Sequence, residues 1–253
     1  MIRISTSIGN EDMVFDVVVA VVAVVAGMVA SVAGFGIGSL LTPVLAFQVG
    51  TKLAVSLVAL PHVAGTLLRF WILRAHVDRR ILLNFGIASA VCGLVGAVLH
   101  AVLTSIVLSR IFGGLLVLAG ISSLVGLMER LHLPRWAAWV AGGLSGIFGG
   151  LVGNQGSIRS AALLGFHVPR DAFVATATAI ALLVDVGRVP VYLATQGSSI
   201  LERWPQVLIG LIGVVVGTLI GARLLRRIPE NVFRRIVGLL VLAIGLYMLV
   251  HPA

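Results

Sequence analysis

Apolar runs of about 20 residues recur along almost the whole chain, and they limit the fold more than any motif does. As a helix rising about 1.5 Å per residue, each is long enough to cross the ~30 Å hydrocarbon core of a bilayer. The runs read as 13–33, 35–48, 53–73, 81–99, 106–128, 136–153, 155–167, 172–195, 205–222 and 232–250. Polar connectors between them reach only about a dozen residues, which leaves no room for a separate soluble domain. Composition agrees, with 59% hydrophobic residues, 11% charged residues and a mean hydropathy of +1.14, against roughly 25% charge in a soluble domain. The expected fold class is an all-α polytopic membrane protein with the lipid bilayer as its surroundings.

The formal net charge of +9 does not indicate a nucleic-acid partner. The arginines are scattered through short connectors, where cytoplasmic loops of membrane proteins collect Lys and Arg, and no basic face with interleaved aromatics exists. Cys92 is the only cysteine and lies in an apolar run, so neither a disulfide framework nor a thiolate metal site is expected. No cofactor or metal is expected at all. The opening "MIRISTSIGNEDM" lacks the basic n-region and cleavage pattern of a signal peptide, and the first apolar segment is expected to be retained.

The chain contains an internal repeat. An offset of 119 residues sets "FQVGTKLAVSLVAL" (47–60) against "FHVPRDAFVATATAI" (166–180) and, without a gap, pairs Gly34 with Gly153 and Arg69 with Arg188. Further on, Gly86 and Gly93 pair with Gly210 and Gly217 at an offset of 124, and Arg110, Ile111 and Gly113 pair with Arg235, Ile236 and Gly238 at 125. Residues 1–130 and 131–253 therefore read as two repeats of one membrane domain, as in many secondary transporters. If each opening element crosses once, the halves are parallel, and the loops carry about 7 basic residues on one face and about 8 on the other. If each re-enters at its glycines, the halves are inverted and the division becomes about 11 against 4. The inverted arrangement is the expectation. It puts Arg74, Arg79, Arg80, Arg130, Arg135, Arg170, Arg223, Arg226, Arg227, Arg234 and Arg235 in the cytoplasm and both termini outside it. Trp71, Trp136 and Trp204 fall near segment ends, where an interfacial aromatic belt would lie.

Polar residues within the apolar runs are the functional candidates, because a buried polar group without a partner costs free energy. The densest group is "GGLVGNQGSIRSAALLGF" (149–166). There Gly153 and Gly156 allow the backbone to leave helical geometry. A helix restarting near Ser157 would present unpaired N–H groups at its positive dipole end. Arg159 one turn along adds a fork of donors suited to an oxyanion, and Asn154 and Gln155 add amides. The first-half counterpart "GFGIGSLLTPVLAF" (34–47) has the same glycine break, with Gly36 and Gly38 at its centre and Ser39 and Thr42 as hydroxyl donors. Leu40 occupies the position matching Arg159, so any site is asymmetric.

Arg69 and Arg188 lie toward the ends of their segments, where they either snorkel to an interface or line the pathway. Asp185 stands three residues before Arg188, on the same helical face, as an ion-pair partner or a modulator of the pathway's charge. Pro190 is expected to kink that helix. His62, beside Pro61, is either a packed ring or a titrating group that couples transport to protons. His100, His132 and His167 at segment ends are expected to be interfacial. Gly86, Gly93, Gly210 and Gly217 are expected to permit close helix packing. "GLSG" (143–146) matches the GxSG of rhomboid-type intramembrane proteases, but downstream of Ser145 only His167 and His251 could act as base, and neither falls mid-segment. No enzyme is expected.

"AGFGIGSLLTPVLAF" (33–47) and "GGLSGIFGGLVGNQGSIRSAALLGF" (142–166), each opening one half of a duplicated chain, resemble the TauE/SafE family of sulfite exporters. The resemblance covers nearly the whole chain, and "GGLVGNQG" followed by an arginine is its most specific part. It implies a bacterial inner-membrane permease for sulfite, a sulfonate or another sulfur-containing or organic anion, with the two glycine breaks flanking the substrate. Pro43 supplies the proline that often follows the first glycine cluster in that family; none follows the second here. The combined expectation is an anion exporter of the secondary type. Arg159, Arg188 and Arg69 would carry substrate charge; Asn154, Gln155, Gly156, Ser157, Gly36, Gly38, Ser39 and Thr42 would supply the surrounding site. Asp185 and His62 are the candidates for coupling to H+. A passive anion channel and a permease for a non-sulfur carboxylate are the alternatives, and a homodimer is compatible with any of them.

Overall fold

A computed structural model describes residues 3–126, 135–154, 156, 158–159, 163, 169–224 and 230–253. The described residues form helices without any strand. In chain order these are α1 (Arg3–Ala33), α2 (Ile37–Leu73), α3 (Arg79–Val102), α4 (Ser105–Val125), α5 (Arg135–Val152), α6 (Arg170–Glu202), α7 (Trp204–Leu224) and α8 (Glu230–Val250). Six candidate spans among them are long and apolar enough to cross a membrane, so the chain is a polytopic helical membrane protein. The expected boundary between repeats, near residue 130, lies outside the described residues.

Local chemistry sets the helix ends. α1 stops at Gly34 and α5 at Gly153, with φ of 77° and 70°; a side chain there would strain a left-handed backbone, and glycine does not. α2 is two helices in one, interrupted at Gly50 (φ 75°, ψ 158°), which accounts for separate apolar runs at 35–48 and 53–73. Asp78 starts α3 by accepting a hydrogen bond from Ile81 N at 3.0 Å. α6 contains Pro190 and departs from helical φ/ψ at Gln196 (φ −135°, ψ 16°). The side-chain amide of Gln196 donates to Ser56 Oγ at 2.8 Å, an anchor that pins the departure there.

The helices pack in pairs, three of them through glycine. α1 lies along α7, α5 along α3, α2 along α6 and α4 along α8. Residues 85, 89 and 93 of α3 meet 142, 146 and 150 of α5, so these two run parallel. Gly213, Gly217 and Gly221 of α7 likewise meet successively later residues of α1. In contrast, Gly113, Gly120 and Ser123 of α4 meet Leu249, Leu242 and Gly238 of α8, in antiparallel order. Gly93 and Gly217 sit in these seams, as the seven-residue glycine spacing predicts, and dense van der Waals contact replaces the hydrophobic drive that lipid removes. The directions bring Arg74, Arg79, Arg80, Arg223, Arg234 and Arg235 to one end of the bundle. Gly50, the start of α4 and the end of α6 lie at the other end, where Lys52 N donates to Ser105 Oγ at 3.1 Å.

Candidate functional site

The two glycine breaks meet inside the bundle. A Cβ placed on Gly38 would collide with the carbonyl of Gly153, and one on Gly156 with the ring of Phe35, so the backbones touch where they leave helical geometry. Ser39 Oγ donates across the junction to Asn154 Oδ1 at 3.5 Å. No side chain caps the first turn of α2 after Gly36, which leaves a positive helix end facing the junction. Gly156 and Arg159 lie in helical geometry just beyond the second break. Gln155 and Ser157 lie outside the described residues.

Three guanidiniums converge here, and none reaches an interface. Arg69, Arg159 and Arg188 are 3%, 2% and 2% exposed; the snorkelling alternative for Arg69 and Arg188 does not hold, because each is folded back onto a broken helix. Arg69 Nη1 donates to the carbonyl of Ala30, four residues before Gly34, and its Nη2 donates to Thr66 Oγ1 at 3.2 Å. Arg188 Nη1 donates to the carbonyl of Gly149, four residues before Gly153, at 3.2 Å, and its Nε donates to Asp185 Oδ1 at 2.8 Å. Each arginine thus adds a second donor to a carbonyl in the last turn of a helix, one that already accepts from the backbone N–H of Gly34 or Gly153. Arg159 is different: its Nη2 donates to Gly34 O at 3.2 Å, while Nε and Nη1 are buried without a partner among the described residues. Asn154 Nδ2 and Thr42 Oγ1 are buried and unpartnered in the same sense.

Charge is unbalanced in this interior. Asp185 is the one buried carboxylate among the described residues, set against three buried guanidiniums, which leaves two positive charges in excess with His62 neutral. His62 Nδ1 lies 2.8 Å from Asp185 Oδ2 and 3.5 Å from Thr66 Oγ1. Those contacts join the Arg188 group on α6 to the Arg69 group on α2. The candidates at 36, 38, 39, 62, 69, 154, 156, 159, 185 and 188 therefore form one connected region, with Thr42 buried one turn further along α2.

A second polar group adjoins it, one that sequence reading missed. Tyr192 OH donates to Gly150 O, and the Arg188 guanidinium carbon lies 5.9 Å from the centre of its ring. His100 is wholly buried, contrary to the interfacial expectation: its Nδ1 donates to Leu151 O at 2.7 Å, and Gln196 Nε2 donates to its Nε2 at 3.1 Å. The close glycine seam between α3 and α5 carries the ring inward. The overlooked signal was a polar stripe at 185, 188, 192 and 196 on one face of α6, with spacings of three and four residues.

Compared with known families, the chain matches the family described as sulfite exporter TauE/SafE over residues 19–248. The chain belongs to the TauE/SafE family. Both glycine breaks and all three buried arginines fall within the matched stretch. Members of this family are membrane transporters of the sulfite or anion exporter type, so this family member is a transporter. No curated protein and no solved structure matches the chain significantly.

Proposed function

We propose that this chain is a secondary transporter that exports a small anion, with sulfite or an organosulfonate as the leading substrate, across the cell's inner membrane. The observation that carries the reading is the pairing of excess buried positive charge with unsatisfied donors at the junction of the breaks. Arg159 Nε and Nη1, Asn154 Nδ2 and Thr42 Oγ1 lack partners among the described residues, and an oxyanion with several oxygens satisfies donors and charge together. Arg159 is the direct ligand. Arg188 and Arg69 hold the helix ends and add positive potential, and Gly36, Gly38, Ser39, Gly156, Gln155 and Ser157 complete the site. Asp185 and His62 form the coupling pair, with H+ as the ion.

The two repeats, residues 1–130 and 131–253, are inverted in this proposal. Support comes from α4 and α8: they are counterparts under the 125-residue offset, and they run antiparallel. The clustering of arginines at one end supports a cytoplasmic position for that end. Each half then opens with a helical hairpin bent at its glycines, entering from opposite faces. The two hairpin tips cradle the anion at their meeting point, and rocking one half against the other alternates access.

The test is a thermal-shift screen of the purified protein against sulfite, sulfate, sulfonates and small carboxylates, followed by counterflow in proteoliposomes. Selective stabilisation by sulfite or a sulfonate is expected, since a ligand that binds only the native state raises its stability by mass action. Unlabelled substrate on the far side is expected to accelerate uptake of label. Stabilisation by carboxylates alone would replace the sulfur substrate, and flux without trans-acceleration would make the protein a channel.

A further inference from the structure

Both oxygens of Asp185 are occupied. Arg188 Nε donates to Oδ1 at 2.8 Å, and His62 Nδ1 lies 2.8 Å from Oδ2. With Arg188 donating to one oxygen, the other is placed as the hydrogen-bond acceptor for His62. His62 then presents Nδ1–H to the carboxylate in either charge state, and Nε2 is the ring atom free to gain or lose a proton. The ring is also the more open member of the pair, with 11% of its side chain exposed against 1% for Asp185. A proton arriving at Nε2 breaks no bond to Asp185; it adds one positive charge to the cluster. The charged groups acting on the ring are Asp185 and Arg188 from α6 and Arg69 from its own helix. α7 faces this stretch of α2 through Gly210, Val214 and Thr218 and α1 through the Ala30 carbonyl, with no titratable side chain.

We infer that Nε2 of His62 is a proton site linked to the anion site, taking up one proton as a dianion binds. This rests on the proposed anion site at Arg159. In a low-dielectric interior a dianion stabilises an added imidazolium charge, and linkage makes the effect reciprocal: the proton tightens the anion by the same factor. Bound proton and bound anion therefore stabilise each other. The arrangement is confined to one place, because the first-half position matching Asp185 is Thr66 and the second-half position matching His62 is Ala181.

The test is isothermal titration calorimetry of purified protein with sulfite, at a pH where free sulfite is the dianion, in buffers of different ionisation heat. The difference between buffers counts protons. The wild-type protein is expected to take up close to one proton per sulfite. The His62→Asn variant is expected to bind more weakly with proton uptake near zero. Equal uptake by both proteins, or none by the wild type, overturns the inference while leaving the anion site standing. Absence of sulfite binding to the wild type overturns the sulfite site and the inference together. Should the variant fail to fold, the wild-type Kd above sulfite's own titration decides: one linked proton weakens binding by up to about tenfold per pH unit, and a Kd that does not change with pH overturns the inference.

Discussion

Arg69 and Arg188 occupy matching positions 119 residues apart, and they reach matching carbonyls, Ala30 and Gly149, also 119 residues apart. Three residues upstream of each, the halves diverge. Arg69 bonds the neutral hydroxyl of Thr66, whereas Arg188 bonds the carboxylate of Asp185. Beyond the break they diverge again, with Leu40 in the first half where Arg159 stands in the second. The shared part is mechanical: a guanidinium adds a bond to the last-turn carbonyl of a helix that stops at a left-handed glycine within the bundle. The unshared part is electrostatic. In the proposed two-repeat arrangement both tips are fastened alike, and only the second carries a buried carboxylate and Arg159.

Breaking the two clasps should cost unequal amounts. Asp185→Ala strips a buried guanidinium of its counter-ion, which destabilises a protein by about 3–5 kcal/mol, whereas Thr66→Val removes one hydrogen bond to a charged group, worth about 1.5–3 kcal/mol. Melting in detergent is expected to fall much further for the first variant, and equal losses would mean that the two clasps are equivalent. The hinge glycines sharpen the contrast. Both have positive φ, so alanine costs about 1–2 kcal/mol of backbone strain at either. At Gly153 the new Cβ would also lie 2.8 Å from Arg188 Nη1, while at Gly34 the nearest atom within reach is Val174 Cγ1 at 4.0 Å. Gly153→Ala is therefore expected to weaken anion binding as well as stability, and Gly34→Ala to lower stability alone; titration of both variants with sulfite distinguishes them. The smallest effect belongs to Tyr192→Phe, whose first-half counterpart is Leu73. Losing the bond to Gly150 O is expected to cost about 1 kcal/mol, seen as a slight fall in melting temperature.

Much of this organisation is legible in the sequence, for physical reasons. A span must be both long and apolar, so the segments are visible, and a left-handed break needs glycine, so Gly34 and Gly153 mark the tips. The 119-residue offset is visible because Gly34 and Gly153, and Arg69 and Arg188, stand at matching positions. Neighbour relations are less legible. Periodicity places His62 and Asp185 on helices but does not say that residues 123 positions apart meet. His100 lies near a segment end, and only the parallel docking of α3 on α5 turns it inward. The departure of α6 from helical φ/ψ at Gln196 was not legible either, since its side chain bonds Ser56, 140 positions away. The carbonyls that Arg69 and Arg188 reach were invisible for the same reason: a charged residue in an apolar run announces a partner without naming it.

The central claim is that Arg159 holds the anion, and the molecule contains its own control. Arg159→Leu gives the second half the residue that the first half has at position 40. Equilibrium binding of labelled sulfite to the purified variant, with melting temperature as the check on folding, reads the claim directly. Loss of the charged fork is expected to weaken binding at least about tenfold, equivalent to 1.4 kcal/mol, in a protein that still melts cooperatively. An unchanged Kd for sulfite in a folded Arg159→Leu protein would contradict the account.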